Sequence, residues 1–147
     1  MPHVEASVTI RAPQPQVAAL YRDFAGWPQL FAATIRGVRL IRAEPARAIL
    51  EIDHREGVVP NILTEVSPDR FDLWESKRLY DATFVNCFEA IPEGTRYSVS
   101  ADIVLKGVTK VLGPLLRGYI RRQIYRYVLE PVRRAAEAVG DRRADGS

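Results

Sequence analysis

One cysteine, Cys87, and two histidines, His3 and His54, are all that this 147-residue chain offers to disulfide or zinc chemistry. A single thiol forms no intrachain disulfide, and two histidines make a zinc cluster hard to assemble, so neither a metal nor a cofactor is expected. No apolar run is long enough to cross a bilayer, and Met1-Pro2-His3-Val4-Glu5 lacks a basic segment followed by an apolar one. The expectation is a cytoplasmic protein without a transmembrane segment. Low-complexity tracts and repeats are absent too, which argues against disorder and solenoids. What is present is ordinary: 47% apolar and 27% charged residues in a chain of one-domain length. One domain is expected over residues 1–140, with a frayed tail over 141–147.

The charge is uneven. Between residues 107 and 139 stand Lys110, Arg117, Arg121, Arg122, Arg126, Arg133 and Arg134 against Glu130 and Glu137, so most of the basic excess lies there. Two readings stay open: a face that makes weak contact with an anionic surface, and a solvated helix back whose long side chains keep their charge in water. The second is favoured because no nucleic-acid motif accompanies the charge, and no DNA contact is expected.

The same stretch carries an apolar ladder at four-residue spacing, Leu112, Leu116, Ile120, Ile124, Val128, Val132 and Ala136. A four-residue step slightly exceeds one turn, so the stripe winds slowly around a helix that lies obliquely on a curved surface. Pro131 is expected to bend this helix by removing one amide donor and crowding residue 127. Upstream, Val4, Ala6, Val8 and Ile10 alternate with polar residues as in a half-buried strand. Ala12-Pro13-Gln14-Pro15 ends it, Val17, Leu20, Tyr21 and Phe24 recur at helical spacing, and Trp27-Pro28 opens a second short helix. From Thr34 the period is two. Six strands are predicted near 34–43, 47–55, 58–67, 70–77, 82–91 and 95–105, with short turns that favour hairpins between neighbours. Pro60 cannot donate a ladder bond and calls for an edge, a bulge or an outward-facing amide.

This order resembles the helix-grip fold, and the wording resembles the START-like, Bet v 1-like (SRPBCC) superfamily, which contains polyketide cyclases and lipid-transfer proteins. The resembling pieces are VEASVTIRAPQPQVAALYRDFAGWPQLF, FEAIPEGTRYSV and LKGVTKVLGPLLRGYIRRQI. The resemblance implies an α+β fold, with a seven-stranded curved antiparallel sheet wrapped around a long C-terminal helix and two short helices between strands one and two. It also implies an internal cavity that accepts a hydrophobic small molecule. Its motifs are structural and identify a fold, not an activity.

Candidate site residues follow from strand phase. His54 continues the inward phase of Ala48, Leu50 and Ile52, and an imidazole can take or give the proton that an enolisation needs. Asn86 shares the phase of Phe84 and Phe88, so all three line the cavity unless Val85 and Cys87 face inward instead. Cys87 reads as a small residue with an inert thiol. Tyr119, Gln123 and Tyr127 form a row beside the ladder and either reach the cavity wall or pack at its edge. Tyr97 is a further lining residue, as is Trp74 if its phase faces inward. Glu75-Ser76-Lys77-Arg78 reads as a strand end and solvated turn, which leaves no inward carboxylate. The function expected is binding of a polyketide, lipid or isoprenoid-like molecule by a monomer or homodimer. Alternatives are a polyketide aromatase/cyclase and a protein-interaction or ribosomal RNA-binding module using the basic helix.

Overall fold

The computed structural model describes residues 3–107 and 113–145. Alternation makes β1 (His3–Ile10), which buries Val4, Ala6 and Ile10 and wets the residues between them. Pro13 and Pro15 stop the strand and suit the first turn of α1 (Gln14–Arg22), whose Val17, Ala18 and Tyr21 are buried. A single 3-10 turn over Phe24–Gly26 leads to α2 (Trp27–Leu30). Trp27 is 1% exposed and its indole N–H donates to the Tyr21 carbonyl at 2.9 Å, which fastens α2 to α1.

The meander follows as β2 (Ile35–Glu44), β3 (Arg47–His54), β4 (Gly57–Ser67), β5 (Arg70–Ser76), β6 (Tyr80–Ile91) and β7 (Gly94–Leu105). With β1 they form one antiparallel sheet in the order β1-β7-β6-β5-β4-β3-β2. The predicted strands hold to within two residues, the largest difference being the earlier start of β6. Pro60 lies opposite Glu51 of β3, just before Asn61, where β5 begins to pair. The sheet ends on that side of Pro60, so no ladder bond is missed.

The β6–β7 turn depends on Gly94. Its φ is +139°, and a Cβ there stands 2.3 Å from the Ile10 carbonyl oxygen and 2.9 Å from the Ala12 nitrogen, both backbone atoms. Next to it, the buried Thr95 hydroxyl donates to the Ala12 carbonyl at 2.7 Å. Gly94→Ala is expected to lower stability by about 2 kcal/mol from backbone strain, read as a lower urea midpoint. An unchanged midpoint would contradict this tight approach of the turn to the end of β1.

The terminal helix has three parts: α3 (Gly113–Ile124), a π turn over Tyr125–Leu129 and α4 (Glu130–Asp145). The disturbance expected at Pro131 takes the form of this π turn. The Glu130 N–H donates to the Tyr125 carbonyl, so the wider turn precedes the proline and includes residue 127, which its ring would otherwise crowd. The extra residue also moves the buried stripe. Ile124, Val132 and Ala136 are buried, but Leu129 takes the innermost place between them while Val128 is only half-buried. Leu112 of the ladder lies outside the described residues, and α4 continues into the segment expected to fray, as far as Asp145. The helix packs on β1 and α1, and α1 packs on β6 and β7. Glu137 staples its far end: the carboxylate accepts the Arg11 backbone N–H at 2.9 Å and pairs with Arg133 at 3.0 Å.

Candidate functional site

Cross-strand register sorts the inner face of the sheet into rows. Leu50, Asn61, Glu75, Ala82 and Ile103 form one row, and Ala48, Leu63, Leu73, Phe84, Ala101 and Val4 the next. A third row holds Glu65, Phe71, Asn86, Val99 and Ala6, after which Phe88 faces Tyr97. Two clusters of polar side chains stand out on this face, and they differ in kind.

The first is packed and complete. The Asn86 amide donates to the Tyr21 hydroxyl at 3.0 Å and the Phe71 carbonyl at 3.2 Å, and its oxygen accepts from the Tyr97 hydroxyl at 2.6 Å. These contacts settle the phase of β6: Asn86 points inward with Phe84 and Phe88, and Cys87 lies on the other face, partly buried. Rings enclose the network. Tyr21 lies 5.2 Å from Trp27 and 5.7 Å from Phe71, and Phe88 stacks on Tyr97 at 4.4 Å. Burial pushes both tyrosine hydroxyls well above their ordinary range, so both stay protonated, Tyr97 donating to Asn86 and Tyr21 accepting from it. The Asn86 amide is engaged by buried partners on three sides, which gives it a part in holding the core. Phe88 and Tyr97 likewise spend their surface on the core, whereas half-buried Phe84 stays at the boundary of the polar region described next.

The second place is incomplete. Asn61 is 1% exposed; its Nδ2 donates to the Val59 carbonyl at 3.1 Å, and its Oδ1 has no partner. His54 Nε2 is also buried without a hydrogen bond. Between them stands Glu75, 6% exposed, with its carboxylate 3.9 Å from both His54 Nε2 and Lys77 Nζ. Lys77 in turn lies over the Tyr80 ring at 5.5 Å. Burial pushes the Glu75 carboxyl up, against the pull of Lys77. His54 is pushed down to about 4, first by burial and then by the Lys77 charge, with Glu56 and Asp53 opposing. Burial also opposes the Lys77 charge, but Glu75 and Tyr80 outweigh it and hold the ammonium above its usual value. His54 is therefore neutral near pH 7, beside a carboxylate and an ammonium that offset each other.

This predicts a pH dependence. The unfolded chain takes up a proton at His54 near 6.5, while the folded chain resists until about 4, so stability from this group falls as pH drops through that window. Glu75 acts in the opposite sense: its raised value makes the fold bind a proton more readily, and its share of stability falls as pH rises above 4.5. Relative to His54→Phe, the parent should lose at least about 1 kcal/mol between pH 6.5 and 4.5, measured by urea unfolding at each pH. A constant difference would show that His54 charges freely in the fold.

The other expected residues lie elsewhere. Trp74 sits in the outward phase between Leu73 and Glu75 and is 37% exposed, so it does not line the inner face. Tyr119 and Gln123 border an open groove of about 550 Å3 on the helix surface, with Arg122, Tyr125, Arg126 and Glu130, and Arg126 covers the Tyr127 ring at 5.3 Å. Tyr119 is 53% exposed and points away from the sheet, unlike the cavity-wall expectation. The strand end expected over Glu75-Ser76-Lys77-Arg78 is there, since β5 stops at Ser76, but Glu75 is buried and Lys77 is largely covered rather than solvated. The signal for Glu75 was the alternation Phe71, Leu73, Glu75, which continues the inward phase into a charged residue at the strand end. No group of three or more metal-ligating side chains occurs among the described residues.

No protein-family model matches this sequence, and no curated protein matches it. Solved structures do match in fold. BexL, a di-domain aromatase/cyclase from the BE-7585A biosynthetic pathway, superposes with a TM-score of 0.75 at 22% identity over 92% of this chain and 50% of its own. The chain thus spans about half the length of that protein. The Zhui aromatase/cyclase from Streptomyces sp. R1128 gives 0.71 at 16% identity, over 92% of this chain and 93% of its own. A START superfamily protein from Mycobacterium smegmatis gives 0.73 at 14% identity, over 93% and 98%.

Proposed function

We propose that this chain, which adopts the helix-grip fold of START-like and Bet v 1-like proteins, binds a hydrophobic small molecule of polyketide, lipid or isoprenoid type. The ligand lies against the inner face of the sheet, with its polar end at His54, Asn61 and Glu75. One observation carries this reading: among the described residues, Asn61 Oδ1 and His54 Nε2 are the buried side-chain polar atoms with no hydrogen-bond partner. An unpaired buried acceptor costs about 1–3 kcal/mol, which the packed network at Asn86 avoids and this end of the face does not. A ligand that supplies the missing partner removes that cost, and burial of its carbon surface adds about 25 cal/mol per Å2. The test is native mass spectrometry of the protein with a poly-β-ketone mimic, a polyphenol, a prenyl quinone and a phospholipid. Retention of one class, unchanged in mass, supports a binder. Retention of none above a control protein overturns it.

A second reading, a polyketide aromatase/cyclase, is favoured by a specific feature. Catalysis needs ionisable groups in the inward phase, and His54 and Glu75 are both there, with Lys77 beside Glu75. Neutral His54 can take a proton from a carbon between two ketones; the resulting enolate carbon then attacks a distant carbonyl, and protonation and loss of water follow. The fold neighbours named aromatase/cyclases support this reading by analogy of fold alone. Loss of water from the bound poly-β-ketone, faster than without protein, distinguishes it from simple binding.

A further inference from the structure

Building on the binding reading above, we propose that the polar end of the ligand is an uncharged hydrogen-bond donor, a phenolic, enolic or alcohol hydroxyl seated on Asn61, and that the site rejects carboxylates. The argument begins with the orientation of one amide. Asn61 Nδ2 donates to the Val59 carbonyl two residues back along β4. Reversing the amide would set oxygen against oxygen, so the hydrogen bond itself assigns which atom is free. The free atom is Oδ1, on a side chain 99% removed from solvent, and an amide oxygen can only accept.

Its cross-strand neighbour is also an acceptor. Glu75 pairs with Asn61 across β4 and β5, and its carboxylate oxygens stand 3.9 Å from His54 Nε2 and from Lys77 Nζ, at ion-pair range. Two acceptors side by side call for a donor. A ligand carboxylate or phosphate would add a third set of oxygens to the same spot, at a cost that burial enlarges.

The nearby cation does not reverse this. Lys77 is committed to Glu75 and to the ring of Tyr80, and Glu56 and Asp53 add negative field at His54. The cluster thus carries no surplus positive charge for an anion. His54 Nε2 completes the selection: it donates or accepts according to tautomer, so it can serve a carbonyl or second hydroxyl near the first. Leu50, Ala82 and Ile103 continue the Asn61 row as core carbon neighbours, so the polar group sits in apolar surroundings. The class that fits is a hydroxylated aromatic or enolic ketone, not a fatty acid or a phospholipid head.

Naphthol, its methyl ether and naphthoate share one carbon frame and differ only in what they bring to Asn61. Calorimetric titration of the full chain at neutral pH should give naphthol an affinity at least about tenfold above both others, the value of one buried hydrogen bond. In Asn61→Leu the naphthol preference over the ether should fall to near one, with a thermal melt to verify folding. If that variant does not fold, the three-ligand comparison on the unaltered protein still decides. Equal affinities for the three, or tightest binding of naphthoate, overturn the donor assignment and leave the binding reading standing. Binding of none of them, nor of their anthracene homologues, overturns both.

Discussion

Asn86→Leu should cost about 3 to 5 kcal/mol of stability, although leucine matches asparagine in size and increases apolar content. The amide satisfies the Tyr97 hydroxyl, the Tyr21 hydroxyl and the Phe71 carbonyl at once, all of them buried. Removing it strands three polar groups where no water reaches, each at about 1–3 kcal/mol, and the sum is limited by relaxation of the two tyrosines. Urea denaturation with linear extrapolation measures the loss. A double-mutant cycle with Tyr97→Phe then tests the cause. Once the Tyr97 hydroxyl is gone, Asn86→Leu should cost at least about 1 kcal/mol less, because one stranded group has already been removed. A total loss under about 1 kcal/mol would contradict the assignment of these three hydrogen bonds to the Asn86 amide. Such a result would return Asn86 to the set of groups available to a ligand.

His54→Phe should separate binding from chemistry. If the bound poly-β-ketone loses water on the protein, this substitution should lower the rate by about 100-fold or more, the usual contribution of a positioned general base. Affinity for the unreacted ketone should fall far less, because the carbon surface that holds it is untouched. The pH profile supplies a readout that a purely structural role would not move. A base whose proton leaves near 4 gives a rate that rises as pH increases through about 4, not through 6.5. Dehydration that proceeds at the parental rate in the variant would remove His54 from the mechanism and leave a binder whose ligand cyclises unaided.

The strands were legible because their signal is local and repeated. Alternation from Val4 to Ile10 and from Ala48 to His54 has one solution, in which alternate residues face the core, and the structure adopts it. The two short helices and the Gly94 turn were legible for a similar reason, since proline and glycine restrict the backbone whatever surrounds them. The site was harder to read. Glu75 obeys the alternation, yet its charge argued for solvent, and only the register with Asn61 and the approach of His54 explain why it is inside. Asn86 was placed on the correct face, but its hydrogen-bond partners were not legible, because they come from Tyr21, 65 residues earlier, and from the neighbouring strand. The π turn was invisible for a different reason. A proline in a helix predicts a disturbance, but whether the chain bends or gains a residue depends on packing against β1 and β7.

The pairing of β1 with β7 also bears on how the chain reaches its fold. Every other strand joins a neighbour in sequence through a short turn, so the sheet from β2 to β7 can form by successive local hairpins. Val4, however, meets Ala101, so the strand that leaves the ribosome first has no partner until nearly the last strand has been made. Throughout that interval Val4, Ala6 and Ile10 remain uncovered, in an extended segment suited to pairing with the wrong chain. Closing the loop between the two strands is the most costly contact in entropy, and α4, which rests on β1 and α1, cannot dock before it. Maturation therefore ends with β1 meeting β7 and α4, and substitutions that weaken β1 should slow the last step while the hairpins still form at their usual rate.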